Sequence, residues 1–207
     1  LPVTANDADT ELLRGLLLDY RDERWAVSLH LELRSRETPN PDGRLFLCDR
    51  PLVRGDTLFF QPDDPGKPAL AASLLELEGV ASVLFRENTV TINRVPDTPW
   101  PTIDQGVDRV LRTYFLFCGR PLKADAVAQL HDPLAQKVLR VLEARVLPGV
   151  HKDGGDIELL GVTDGVVRVK MHGACAGCPA SSATLHHGVE ATLRQAFPGE
   201  IQRVEAV

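Results

Sequence analysis

The chain has 207 residues, 43% hydrophobic and 25% charged, the balance of a soluble folded protein with room for one ordinary domain or two small ones. The formal net charge is -6, and neither residues 1–120 nor residues 121–207 carry a positive balance, which argues against a nucleic-acid-binding surface. No apolar run approaches the length of a membrane span, and the opening residues lack the basic-then-apolar pattern of a secretion signal.

In chain order, a helix is predicted over residues 7–18, with Asn6 as its cap and Leu12, Leu13, Leu16 and Leu17 in one stripe. The period then changes to two. Val27, Leu29, Leu31 and Leu33 alternate with polar residues, predicting one half-buried strand over residues 26–34. Thr38-Pro39-Asn40-Pro41-Asp42-Gly43 is a stiff turn before a strand starting at Leu45, and Thr57–Gln61 is a short strand candidate. Pro68 opens a helix that Gly79 stops, strands follow at Val80–Arg86 and Thr89–Asn93, and a helix runs over residues 102–117. The implied unit is a small α+β domain with helices laid on one antiparallel sheet. A short helix is expected within residues 123–129, in the hinge.

The second unit opens on a helix with Asp132 as cap and Pro133 at its first position. Leu134, Val138, Val141, Leu142 and Val146 share a face, and Pro148-Gly149 ends the run. Asp153-Gly154-Gly155-Asp156 is a turn. Ile157–Val162 and Val166–His172 form a hairpin around Thr163-Asp164-Gly165. A helix is predicted over residues 181–197, then a closing strand or tail. The fold class is therefore α+β, in two small domains, the second with the order helix, strand, strand, helix. The divisions are an extension over 1–36, an α+β domain over 37–117, a linker over 118–131 and a C-terminal domain over 132–207.

Four cysteines are present, too few for a disulfide scaffold in a chain of this size, so a reducing, cytoplasmic setting is expected. Cys48 and Cys118 each stand alone on an apolar element and read as core residues. Cys175 and Cys178 form the one motif, Gly173-Ala174-Cys175-Ala176-Gly177-Cys178-Pro179, between a strand and a helix. Two intervening residues let both thiolates face one centre. The glycines let the loop curl, and the helix start lowers the cost of negative sulfur. Small neighbours are expected to leave both sulfurs exposed.

A dithiol redox protein of thioredoxin type needs more chain after its motif than the 29 residues that follow Cys178. A closed sulfur site wants four ligands. His172, on the polar side of its strand, and His186 and His187, in the helix, read as surface residues. A two-fold axis would supply Cys175 and Cys178 twice. Four thiolates suit zinc or a [4Fe–4S] cluster, and ligand type alone does not separate them; a shared, exposed site that opens and closes favours the cluster. Asp153 and Asp156 read as turn residues. The competing expectations are a structural zinc-binding homodimer and a metal-free adaptor.

These residues resemble the NifU-like iron–sulfur cluster scaffold and carrier family, in the form with an additional N-terminal domain. The C-terminal likeness rests on Asp153-Gly154-Gly155-Asp156-Ile157-Glu158, the loop 173–182, Thr184-Leu185, Gly188-Val189-Glu190 and Leu193-Arg194. The N-terminal likeness rests on Thr38-Pro39-Asn40-Pro41 with Phe46, Pro68-Ala69-Leu70-Ala71, Leu74-Leu75, Gly79-Val80, Val83-Leu84-Phe85 and Trp100. Leu147-Pro148 departs from the family's Arg-Pro. The resemblance implies a non-enzymatic scaffold or carrier: a homodimer, or a transient pair, bridged by one [4Fe–4S] cluster, which is built from delivered iron and sulfide or received from an upstream scaffold or donor and passed to apo iron–sulfur client proteins. From the charge balance and the lack of a spanning apolar run, no nucleic-acid or membrane partner is expected.

Overall fold

A computed structural model describes the backbone of residues 16–21, 24–118, 120–123, 132–176 and 179–207, and side chains from residue 30 onward apart from 179–186. Two hydrophobic cores organise it. The first gathers residues between Leu31 and Phe115, and the second residues between Ala135 and Val204.

Strands β1 (Leu16–Arg21) and β2 (Arg24–Leu29) form an antiparallel hairpin. The helix expected over residues 7–18 is thus corrected at its end: residues 1–15 lie outside the described residues, and 16–18 are strand. A short leucine run satisfies either period, and backbone pairing with β2 decides for strand. The single strand expected over 26–34 is also divided, between β2 and β3 (Leu33–Glu37). The break falls where the carbonyls of His30 and Leu31 accept hydrogen bonds from Arg50 and Arg112, and Leu31 turns into the core.

Strands β4 (Gly43–Cys48), β6 (Leu58–Phe60), β7 (Val80–Arg86) and β8 (Thr89–Arg94) join β3 in one antiparallel sheet of order β3-β4-β8-β7-β6. Helices α1 (Ala69–Leu75) and α2 (Trp100–Phe117) begin after Pro68 and Pro99. They bury Leu70, Leu74, Ile103, Val107, Leu111 and Phe115 against the face carrying Phe46, Val83, Phe85, Val90 and Ile92. Short β5 (Val53–Arg54) pairs in parallel with β9 (Leu122–Lys123). The helix expected in the hinge begins on strand at Lys123; residues 124–131 lie outside the described residues.

The second unit opens as its signals require. Asp132 caps α3 (Pro133–Arg145), its carboxylate accepting from the Leu134 and Ala135 backbone N–H groups. Pro148-Gly149 does not end the helical path: Leu147–Lys152 forms a further turn and a half, α4, because proline near a helix start withholds only a donor that would go unused. Strands β10 (Gly155–Thr163) and β11 (Val166–Gly173) make the hairpin, with Asp164 and Gly165 both at positive φ in its turn. Helix α5 (Pro179–Ala196) then crosses over to β12 (Arg203–Ala206), which lies parallel to β11. The tail is therefore a strand. Among the described residues no helix is long and apolar enough to cross a membrane.

Candidate functional site: a thiol loop under a sheet

The second face of the five-stranded sheet is not solvated. Side chains alternate across a strand, so Leu45, Ser82, Leu84, Thr89, Thr91 and Asn93 point away from the N-terminal core, yet all six are buried. One cross-strand row runs the width of this face: Arg36 pairs with Leu45, Leu45 with Thr91, Thr91 with Leu84 and Leu84 with Phe59. The C-terminal unit lies over that row. Arg36 donates to the Lys152 carbonyl. A Cβ on Gly154 would stand 3.2 Å from the Thr91 Oγ1, and one on Gly173 would stand 2.4 Å from the Leu84 Cδ2. The Phe59 ring lies 4.5 Å from the His172 ring.

The loop after β11 is held at this seam. The Ala174 N–H donates to the Gly154 carbonyl at 3.1 Å and the Ala176 N–H to Gly173 at 3.0 Å. From the N-terminal unit, the Asn93 Nδ2 donates to the Gly173 carbonyl at 2.7 Å, and the Asn40 Nδ2 reaches the Ala176 carbonyl at 3.4 Å. Gly173 has φ +64, a conformation that suits glycine, and a side chain there would also meet the Gly154 carbonyl.

Cys175 is 7% exposed and belongs to the C-terminal core. The expectation of an exposed sulfur is corrected at this position. The cause is the glycine pair: a Cβ on Gly155 would lie 2.2 Å from the Cys175 Sγ, so its absence lets the sulfur settle against β10. Cys178 lies outside the described residues. The other two thiols divide. Cys48 is 3% exposed in the N-terminal core, where burial first and the Asp49 charge second push its thiol up to about 12 despite Arg50. Cys118, expected in the core, is exposed just beyond the end of α2.

The histidines also divide. His172 is buried, 6% exposed, against the expectation of a surface residue, because Phe59 covers it; its Nε2 lies 2.9 Å from the Glu158 carboxylate. His187 is exposed, and the His186 side chain lies outside the described residues. Asp153 ends α4, as a turn residue should. Asp156 does more: its carboxylate meets the His151 Nε2 at 2.9 Å and accepts from the Ile157 N–H. Burial by itself would push its pKa up, but hydrogen bonds from His151 and Thr57, the His151 charge and the Ile157 N–H together outweigh burial and hold it below the usual carboxylate range. Thr57 belongs to the N-terminal unit and lines the same cleft as Asp156. A cleft of about 1150 Å³ opens beside these groups, lined by Thr57, Phe59, His151, Asp156, Glu158 and His172 among others.

Asn40, Asn93, Thr91 and Leu84 are the loop-holding residues that sequence reasoning missed. Thr89, Thr91 and Asn93 alternate with Val90 and Ile92, which reads as an ordinary solvent face. The turn at Asn40 and the glycines at 154 and 173 were visible as motifs, but not as halves of one contact.

This is a protein of two α+β units, in which a small-residue thiol loop at a strand–helix junction lies against a neighbouring sheet. Residues 138–205 match the NifU-like domain family, and residues 33–116 match the family described as scaffold protein Nfu/NifU N terminal. A relative from Drosophila ananassae, named NFU1 iron-sulfur cluster scaffold homolog, mitochondrial, is 33% identical over 205 residues, covering 94% of this chain and 71% of its own. The human protein of that name is 28% identical over 186 residues, covering 86% and 72%. NifU-like protein 5, mitochondrial, from Arabidopsis thaliana is 30% identical over 185 residues, covering 84% and 66%. The chain belongs to the NifU-like iron–sulfur cluster scaffold family. It spans 64% of the length of the Drosophila erecta relative, which is 33% identical. A NifU-like protein structure from Saccharomyces cerevisiae, 21% identical, aligns with a TM-score of 0.38 over 40% of this chain and 76% of that one. The relatives' names carry the word mitochondrial, which does not favour the cytoplasmic expectation.

Proposed function

We propose that the chain is an iron–sulfur cluster scaffold and carrier, in which Cys175 and Cys178 of two copies hold one [4Fe–4S] cargo and yield it to apo-proteins by thiolate exchange. The observation that carries this reading is the seat of Cys175: a tight glycine-bounded loop at the end of β11, with its sulfur against Gly155 and helix α5 beginning at Pro179. The names of the relatives support the same role. Cys48, locked in the other core with a thiol pushed up to about 12, is poorly suited to complete the ligand set, and a second copy supplies the missing sulfur by symmetry.

The chemistry is exchange of ligands, with no organic substrate turned over. Each incoming client thiolate replaces one of the four, and separation of the two chains leaves the cargo with half its protein ligands, so release and dissociation are coupled.

Anaerobic reconstitution with iron and sulfide, followed by metal analysis and sedimentation, tests the proposal. The expected product is a dimer with about four irons and broad visible absorption. Cys175→Ser and Cys178→Ser should each abolish the chromophore and leave a folded apo chain. Stoichiometric zinc with no sulfide, or full iron loading of a strict monomer, would overturn the reading.

A further inference from the structure

Resting on that function, we infer a second role for the N-terminal unit: the outer face of its sheet is a docking surface for this chain's own thiol loop, so that the closed chain clamps the loop on both sides of Cys175, holds its sulfur in the C-terminal core, and must open before a second copy can share the cargo.

Four of the five residues in the row Arg36, Leu45, Thr91, Leu84 and Phe59 approach the C-terminal unit, at Lys152, Gly154, Gly173 and His172 respectively for Arg36, Thr91, Leu84 and Phe59. Their targets flank the thiol loop on both sides, through the Gly154 turn beneath it and the end of β11 leading into it. Asn93 and Asn40 then bind the carbonyls on either side of Ala174 and Cys175. Glycine stands at several of the backbone approaches. A Cβ on Gly43 would lie 3.2 Å from the Ala174 Cβ, a Cβ on Gly154 would lie 3.1 Å from Thr38, and Gly173 admits no Cβ beneath Leu84. The fit is therefore between two surfaces trimmed for each other.

The same surfaces are built to part. Leu45, Leu84 and Ala174 are buried, yet they belong to neither hydrophobic core, so among the described residues neither core extends across the seam. The remainder is Ser82, Thr89, Thr91 and Asn93, groups that water can satisfy once the units separate. The Asn93 Oδ1 is buried without a hydrogen-bond partner among the described residues. Such a group favours the open state, where it is solvated. Polar seams between units separate far more readily than dry cores. A cargo shared across a two-fold axis needs two loops face to face, and the docked sheet holds this loop at Gly173, Ala174 and Ala176, on either side of Cys175.

The test uses the full-length apo chain without iron. In a Cys118→Ser, Cys178→Ser background, the alkylation rate of Cys175 is followed by peptide-resolved mass spectrometry, alongside the radius of gyration from small-angle scattering. Leu84→Arg should open the seam, raising the rate by about tenfold or more and expanding the particle, since reactivity tracks the open fraction. Asn93→Ala should do the same to a smaller degree; it serves as the second variant should Leu84→Arg misfold by circular dichroism. With native cysteines, the opened variants should take up iron and sulfide faster than the parent. The inference is overturned if Cys175 in the parent alkylates as fast as an unstructured cysteine peptide, or if neither variant changes its rate. Because alkylation is read without iron, a failure of the chain to hold a cluster would strike the proposed function and leave this result standing.

Discussion

The two faces of the five-stranded sheet are both buried, and by opposite means. One carries Phe46, Val83, Phe85, Val90 and Ile92 under two helices; the other carries Leu45, Ser82, Leu84, Thr89, Thr91 and Asn93 under the C-terminal unit. The strands are the same, so backbone pairing cannot explain the difference. The first face has close apolar contacts and nothing for water to satisfy, and opening it would mean unfolding. The second face is threaded with hydroxyls and an amide, and opening it exchanges protein partners for water at modest cost. A single sheet thus provides a permanent core on one side and a separable contact on the other.

The comparison can be broken most forcefully at neighbouring positions on one strand. Phe85→Ala should cost about 3–5 kcal/mol in denaturant unfolding of the N-terminal unit, because the ring fills a closed apolar space. Leu84→Ala, one residue away on the other face, should cost less than about 2 kcal/mol, because water can enter the polar seam and no closed cavity remains. Equal losses at the two positions would mean that the seam is as dry and permanent as the core. Within the C-terminal core, Leu193→Ala should cost about 2–5 kcal/mol, with the N-terminal transition unmoved. A single shared transition in parent and variant would show the units to be one cooperative block.

A smaller effect is expected at Asp132. Replacing it with Ala removes the cap of α3 and should cost about 1 kcal/mol, read as a lower melting temperature of the C-terminal unit. The smallest concerns acid. Asp156 has a folded-state value below its unfolded one. Its stabilisation is therefore present above the unfolded carboxyl range, and is lost as pH falls through the folded value. Asp156→Asn should flatten that part of the stability–pH curve; a curve that keeps the parent's full slope there would remove Asp156 as its source.

Much of the architecture was legible in the residues. The strands at Val80–Arg86 and Val166–His172, the proline-opened helices and the Asp132 cap all depend on near neighbours, and all appear where the local pattern places them. Local pattern failed where a distant group chose between alternatives. Residues 16–18 satisfy a helical stripe, but pair as strand. Residues 30–32 continue an alternating run, yet yield their carbonyls to Arg50 and Arg112. Pro148 looked like a stop and sits near the start of α4.

At the site, the chain itself singled out the thiol loop, the glycine turn before the hairpin, and the two-unit layout, because ligand type and glycine spacing are properties of short segments. Tertiary structure alone decided that Gly155 makes room for the Cys175 sulfur, that His172 lies beneath Phe59, and that Thr91 and Asn93 face another unit instead of water. Alternation along a strand tells which residues share a face; it carries no record of what comes to rest against that face. Here the answer came from Gly154, within van der Waals reach of Thr91, and from Gly173, 80 residues along the chain from the Asn93 that binds its carbonyl, both brought there by the packing of one folded unit on the other.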